Sequence, residues 1–271
     1  MDGKAQMQQQ IGPILSRVRE QRPLLHHITN FVTMNDVANA SLHIGATPVM
    51  AHAVEEVAEM VSKAQALVLN MGTLTPDRLE AMLMAGRAAN AHRVPIVLDP
   101  VGVGATDMRQ AANQRILSEL DIAVVRGNAA EIGVLAGAGG TMQGVDSIAG
   151  AAAPITVIRQ LARAHSMVVV MTGERDLISD GERVAEVANG HIWLTKLSGT
   201  GCMATAVVAA MVAVEPDHVV AAVAGLAAYG VAAELAAAEA RGPASFKVAF
   251  FDQLYHLAEN QVTDGARLTI H

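Results

Sequence analysis

The sequence predicts an α/β fold: a single three-layer domain over residues 1–271, with one mostly parallel sheet covered by helices on both faces. Three observations carry this. Short apolar runs of strand length alternate along the chain with segments of helical length, the pattern of a parallel sheet with crossover helices. Apolar residues make up 52% of the chain and charged residues 17%, so a sizeable core can form. Aromatic residues are only 3%, which leaves Ala, Val and Leu to fill that core, as in parallel strands buried under Ala-rich helices.

The elements follow in order. Ile11, Ile14, Leu15 and Val18 stand at helical spacing in a helix over 11–21 that Pro23 ends. Residues 24–28 read as a short strand. A polar segment, 29–36, leads into a helix over 37–44 closed by Gly45. A second short strand spans 47–50, a helix 55–63, and a buried strand 66–70. Thr75 and Pro76 make an N-cap and first-turn pair for a helix ending near His92. Next come a strand at 95–99, a helix at 107–120, a strand at 122–125 and a helix at 128–136. Residues 137–144 read as a loop, 148–165 as a helix and 167–171 as a strand. The runs 177–179 and 184–187 pair as an antiparallel hairpin around Asp180-Gly181. Three Ala-rich helices, 201–214, 217–240 and 246–260, complete the pattern. No repeat, low-complexity tract or linker interrupts it.

Composition narrows the function. A net charge of −7 without a basic block argues against nucleic acid as a partner. One cysteine allows no intrachain disulfide and no Cys-rich metal site, and suits a reducing cytoplasm. Residues 1–6 lack the apolar core of a signal peptide. The most apolar run, 219–233, is short for a membrane span and is bracketed by Glu215, Asp217 and Glu234, so it reads as a core helix and no membrane is expected.

In such a sheet, ligands belong at the carboxyl ends of the strands. One strand ends in Asp99-Pro100-Val101-Gly102, where Asp99 reads equally as a turn residue or as a carboxylate for magnesium. Another ends in Arg126-Gly127-Asn128. Arg126 offers a planar fork for phosphate oxygens, and Asn128 can cap the next helix. Glu131, three residues on, fits a capping box and also a metal carboxylate. Thr172-Gly173 ends a third strand with a hydroxyl and an approachable backbone. Gly199-Thr200-Gly201-Cys202 opens a buried helix, so its free N–H groups and the helix dipole suit an anion. The alternative for that stretch is a glycine-capped helix with a small buried Cys. Asp, Arg and Thr on successive strand ends, followed by this turn, fit an ATP and magnesium site. The chain has no Gly-x-x-x-x-Gly-Lys-Ser/Thr loop and no complete dinucleotide-binding glycine pattern, which speaks against P-loop and nicotinamide enzymes.

Taken together, these segments carry a resemblance that covers nearly the whole chain. It rests on His26-His27-Ile28-Thr29-Asn30-Phe31-Val32, Gly45-Ala46-Thr47-Pro48-Val49-Met50, Leu69-Asn70-Met71-Gly72-Thr73-Leu74 and Val97-Leu98-Asp99-Pro100-Val101-Gly102. Arg126-Gly127-Asn128-Ala129-Ala130-Glu131-Ile132 and Gly199-Thr200-Gly201-Cys202 complete it. The sequence closely resembles the hydroxyethylthiazole kinase family of the ribokinase-like superfamily. That resemblance implies transfer of the ATP γ-phosphate to the primary hydroxyl of 4-methyl-5-(2-hydroxyethyl)thiazole, with magnesium, in thiamine biosynthesis and salvage. It places Met50, Gly199 and Asn30 at the alcohol substrate, Arg126 and Thr172 at ATP, Asp99 and Glu131 at magnesium, and Cys202 at the reacting hydroxyl. It further implies a homotrimer whose thiazole sites are shared between neighbours. Cys rather than Asp at 202 speaks against a related pyrimidine kinase or ATP-dependent hydrate dehydratase. Of the histidine pair, both read first as buried strand residues with backbone partners.

Overall fold

The computed structural model describes residues 3–137 and 152–271. Among these, nine strands form one sheet: β1 (Leu24–Ile28), β2 (Thr47–Val49), β3 (Ala66–Asn70), β4 (Ile96–Asp99), β5 (Val124–Asn128), β6 (Val168–Thr172), β7 (Asp176–Ser179), β8 (Val184–Val187) and β9 (Leu268–Ile270). Their spatial order is β2-β1-β3-β4-β5-β6-β7-β8-β9. Pairing is parallel from β2 through β6 and antiparallel from β6 through β9. The expected mostly parallel sheet is therefore present, with an antiparallel extension longer than the hairpin alone.

Side-chain alternation sorts the strands into two faces. Ala66, Val68, Val97, Val124, Val168 and Val170 point to one core. Helices α1 (Gly3–Gln21), α2 (Met34–Ile44), α8 (Thr200–Val212), α9 (His218–Glu239), α10 (Pro243–His256) and α11 (Glu259–Gly265) cover it. Leu67, Leu69, Ile96, Leu98, Val125, Val169 and Met171 point to the other. There α3 (Val57–Val61), α4 (Pro76–His92), α5 (Asp107–Glu119), α6 (Ala129–Leu135) and α7 (Ala152–His165) pack. Helix α9 is long and apolar enough to cross a membrane, yet 89% of its apolar window is buried inside the protein, as a core helix requires. Asp217 caps it, accepting from Val219 N and Val220 N.

Several boundaries differ from the sequence pattern. Helix α1 begins at Gly3, not residue 11, because Met7 joins the buried stripe of Ile11, Ile14, Leu15 and Val18; Pro13 sits inside it. The strand expected at 122–125 is β5, displaced to Val124–Asn128 by its pairing with β6, so Arg126 lies within the strand. The helix expected at 246–260 is two helices. Leu257 leaves helical geometry at ψ 122° to bury its side chain, and α11 starts anew. Strand β9 and a 3₁₀ turn at Ile192–Lys196 were not anticipated; both are short and carry little periodicity. Helix 55–63 shrinks to α3. Most of the loop expected at 137–144 and the start of the helix expected at 148 fall outside the described residues; from Ala152 the helix is present.

Candidate active site

Asn70 and Asp99 are register partners at the ends of β3 and β4. Asp99 is 1% exposed, and its Oδ2 accepts from Asn70 Nδ2 at 2.8 Å and from Thr205 Oγ1 of α8 at 3.0 Å. The other Asn70 amide proton faces Cys202 Sγ at 3.3 Å. Asn30, in the loop after β1, donates from Nδ2 to Asn70 Oδ1 at 3.0 Å and to Cys202 Sγ at 3.4 Å. Backbone groups fix which way each amide points. Asn70 Oδ1 accepts from Gly72 N, and Asn30 Oδ1 accepts from Val32 N and Thr33 N. Both carboxamide NH2 groups are thereby turned toward the half-buried sulfur.

Cys202 stands in the first turn of α8, which Gly199 opens at φ +84°. A Cβ at Gly199 would fall 2.3 Å from Thr33 Cγ2, so only glycine lets this turn lie against the Asn30 loop. A Cβ at Gly201 would fall 2.7 Å from Arg126 Nη1, so the guanidinium lies against the same turn. Arg126 Nη2 donates to Thr172 Oγ1 at 2.5 Å, and Thr172 Oγ1 donates to Gly127 O at 3.2 Å. Arg126 Nη1 is 4.0 Å from Asp99 Oδ1, and its Nε is buried without an acceptor. A guanidinium laid against the free N–H groups of a helix start is suited to an anion.

Arg126 and Thr172 open onto a cavity of about 670 Å³ that runs between α8, α9 and the start of β7. Gly173, Asp176, His191, Thr200, Gly201 and Tyr229 also line it. Tyr229 donates to Thr200 O at 2.7 Å and so braces the turn from behind.

Charge in the site follows from burial. Removal from water pushes Asp99 up to about 6, with Arg126 and the donors Thr205 and Asn70 opposing and Glu131 adding repulsion. Burial, then the Asp99 charge, push the Cys202 thiol up against the pull of Thr33, Asn70 and Arg126. At neutral pH the group is a thiol beside an ionised Asp99. Burial also pushes Asp176 up to about 6.

Of the two sequence readings of Glu131, the capping box is present. Its Oε2 accepts from Asn128 N and Asn128 Oδ1 accepts from Glu131 N, a complete capping box. Its Oε1 accepts from Gly102 N at 2.9 Å, tying the loop after β4 to the end of β5. Among the described residues no group of three or more His, Cys, Asp or Glu forms a metal cage. Asp99 and Glu131 repel each other electrostatically, and Arg126, 4.0 Å from Asp99, offsets part of that charge. Such a pair fits a magnesium ion that takes most of its ligands from phosphate and water.

Met50 lies half-buried just past β2, packed against the core, and its carbonyl pairs with His52 Nδ1 at 3.1 Å. Both histidines are buried in the strand; His26 Nε2 has the expected backbone partner, Ala51 O at 2.8 Å, whereas His27 Nε2 pairs with a side chain, Ser41 Oγ at 3.3 Å. Sequence reasoning passed over Asn70, Thr205, Asp176 and Tyr229. The first was findable: Asn70 ends an apolar strand just as Asp99 does. Thr205 and Tyr229 lie in apolar helices with nothing in the local pattern to mark them.

A family model described as the hydroxyethylthiazole kinase family matches residues 15–260. The hydroxyethylthiazole kinase of Roseiflexus castenholzii is 62% identical over 260 residues, covering 96% of each chain. A solved hydroxyethylthiazole kinase structure from Pyrococcus horikoshii is 42% identical with a TM-score of 0.89, covering 96% of this chain and 98% of that one. A ribokinase-like superfamily protein from Enterococcus faecalis is 12% identical with a TM-score of 0.65, a likeness of fold alone.

Proposed function

The chain belongs to the hydroxyethylthiazole kinase family, and on that premise we propose how its residues divide the work. The reaction is phosphorylation of the primary hydroxyl of 4-methyl-5-(2-hydroxyethyl)thiazole, a step of thiamine salvage, on a ribokinase-like fold. ATP is the donor. Arg126 and Thr172 hold its phosphates, and the support for that role is that the two bonded side chains line the cavity together, with Arg126 against the Gly201 turn. Asp99 and Glu131 organise magnesium, which when bound neutralises phosphate charge. The N–H groups of the Gly199–Cys202 turn receive the charge that develops on the transferred phosphoryl group.

Asn30, Gly199 and Met50 bind the alcohol, with the Met50 thioether against the flat ring. Cys202 touches the reacting hydroxyl. A thiol that burial holds protonated is a poor base, so Cys202 orients the hydroxyl oxygen, and the hydroxyl proton passes late to an oxygen of the transferred phosphoryl group, as a loose transition state permits. The observation that carries this reading is the bonded chain Asp99–Asn70–Cys202–Asn30 beside the Arg126 cavity.

The protein works as one domain in the cytoplasm, as a homotrimer with thiazole sites completed by neighbours. Phe31 and Val32, 64% and 69% exposed beside Asn30, support that assembly, because one chain leaves them bare. Sedimentation at micromolar concentration should give a trimer; a fully active monomer overturns it. ATP consumption with hydroxyethylthiazole, hydroxymethylpyrimidine and pyridoxal side by side tests the substrate. The thiazole alcohol should win by kcat/KM, and a preference for either other alcohol overturns the reading.

A further inference from the structure

Arg78, in the first turn of α4, is only 6% exposed, and among the described residues no carboxylate forms an ion pair with it. Its acceptors all lie in two loops. Nη1 donates to Gly72 O at 3.3 Å, to Thr73 O at 2.9 Å and to Thr73 Oγ1 at 2.8 Å, all in the loop after β3. Nη2 donates to Thr29 O, at the head of the loop after β1. The Phe31 ring covers the guanidinium, with Cζ 4.6 Å from its centroid, and Phe31 N donates to Thr73 Oγ1 at 3.1 Å.

Thr29 precedes Asn30, and Gly72 donates its N–H to Asn70 Oδ1. The two loops touch there: a Cβ at Gly72 would fall 2.8 Å from Asn30 Cβ. On the site side the loops are joined by the Asn30–Asn70 bond, and behind it by Arg78. A buried cation without a counter-charge is costly. An apolar residue at this turn would serve stability alone. A guanidinium is the side chain whose rigid fork reaches acceptors in two loops at once.

We propose that Arg78 is a positioning residue of this kinase: its guanidinium clasps the loop after β1 to the loop after β3 and so holds the Asn30 and Asn70 carboxamides on Cys202 Sγ. The inference rests on the reading of Asn30 and Cys202 as alcohol-side groups. Displacing a reacting group by about 1 Å costs up to ~10²-fold in rate. Releasing the clasp therefore lowers kcat by at least about tenfold and raises KM for the thiazole alcohol, while KM for ATP, bound at the far side of the sheet edge, stays within a factor of two.

The test compares Arg78→Met and Arg78→Lys with Asn30→Ala and the double variant Arg78→Met/Asn30→Ala, all in the full chain with ATP and hydroxyethylthiazole. Cys202, the only thiol, supplies a second readout through its alkylation rate with iodoacetamide. The expected result is the stated split in both Arg78 variants, faster alkylation, and little further loss of kcat when Arg78→Met is added to Asn30→Ala. Lysine reaches one loop but not both, so Arg78→Lys gives the same split more mildly and decides the matter if Arg78→Met does not fold. Wild-type kcat and alcohol KM in folded Arg78→Lys, with Asn30→Ala impaired, overturn the clasp alone. Wild-type kinetics in Asn30→Ala overturn the alcohol-side reading and the clasp with it. A uniform rise in both KM values, or full additivity in the double variant, marks a merely structural arginine and also overturns the clasp.

Discussion

His27→Gln should make the fold less sensitive to acid. His27 is fully buried in β1, with Nε2 3.3 Å from Ser41 Oγ and Nδ1 without a partner. Burial, and then His26 and His52, lower its pKa to about 3. In the unfolded chain the imidazole titrates near its ordinary value of about 6.5. Between those values the unfolded chain binds a proton that the folded chain refuses. Stability is therefore full above about 6.5 and falls as pH falls, by about 1.4 kcal/mol per pH unit. At pH 5 the loss is about 2 kcal/mol. Asp99 and Asp176, both held at about 6, act in the opposite direction: the folded chain takes up their protons first as pH drops toward 4. The wild-type curve mixes these effects, whereas the difference between wild type and His27→Gln isolates the imidazole. Urea unfolding of both proteins at pH 7.5 and pH 5, at one protein concentration, should shift the gap between them by about 2 kcal/mol in favour of the variant. An identical gap at the two pH values would refute the reasoning.

Other sites give sharper functional readouts. Gly199→Ala should cost about 1–2 kcal/mol from left-handed backbone alone, push Thr33 off Asn30, and raise KM for the alcohol; unchanged Tm and KM would contradict it. Arg126→Met removes a charge-assisted fork worth about 2 kcal/mol, so KM for ATP should rise about 30-fold, read by steady-state kinetics, and an ATP KM within twofold of wild type would sink the assignment. Thr205→Val deprives the buried Asp99 Oδ2 of one of its two donors and should destabilise by about 1–3 kcal/mol in urea unfolding at pH 7; no loss would mean that the bond to Asp99 contributes nothing.

Much of this was legible in the residues, for reasons that differ by site. The unbroken apolar runs Ala66-Leu67-Val68-Leu69 and Val168-Val169-Val170-Met171 announce a sheet buried on both faces, and the sheet is so buried. Asn30, Asp99, Arg126, Thr172 and Cys202 come together because strand ends of one parallel sheet share an edge. Where strand pairing decides, local pattern fails: β5 extends to Asn128 only because β6 offers partners that far. The break at Leu257 goes with burial of its side chain in the core, which no neighbouring residue in the sequence reports. Arg78 looks like an ordinary first-turn arginine after Thr75-Pro76, and only the meeting of two loops distant in sequence gives it acceptors. Glu131 shows the reverse: the capping box was readable from spacing, while its bond to Gly102 N was not.

Contact between Cys202 and the reacting hydroxyl is read out by steady-state kinetics of Cys202→Ala and Cys202→Asp. Alanine is close to cysteine in size, so a packing role predicts little change. Loss of the oriented thiol predicts a fall in kcat of about 10²-fold with KM for ATP nearly intact, because Arg126, magnesium and the backbone turn remain. Aspartate would receive the same two N–H donors from Asn30 and Asn70 that now face Sγ, and should keep substantial activity. Wild-type kcat in Cys202→Ala, with the fold verified by circular dichroism, would contradict the account.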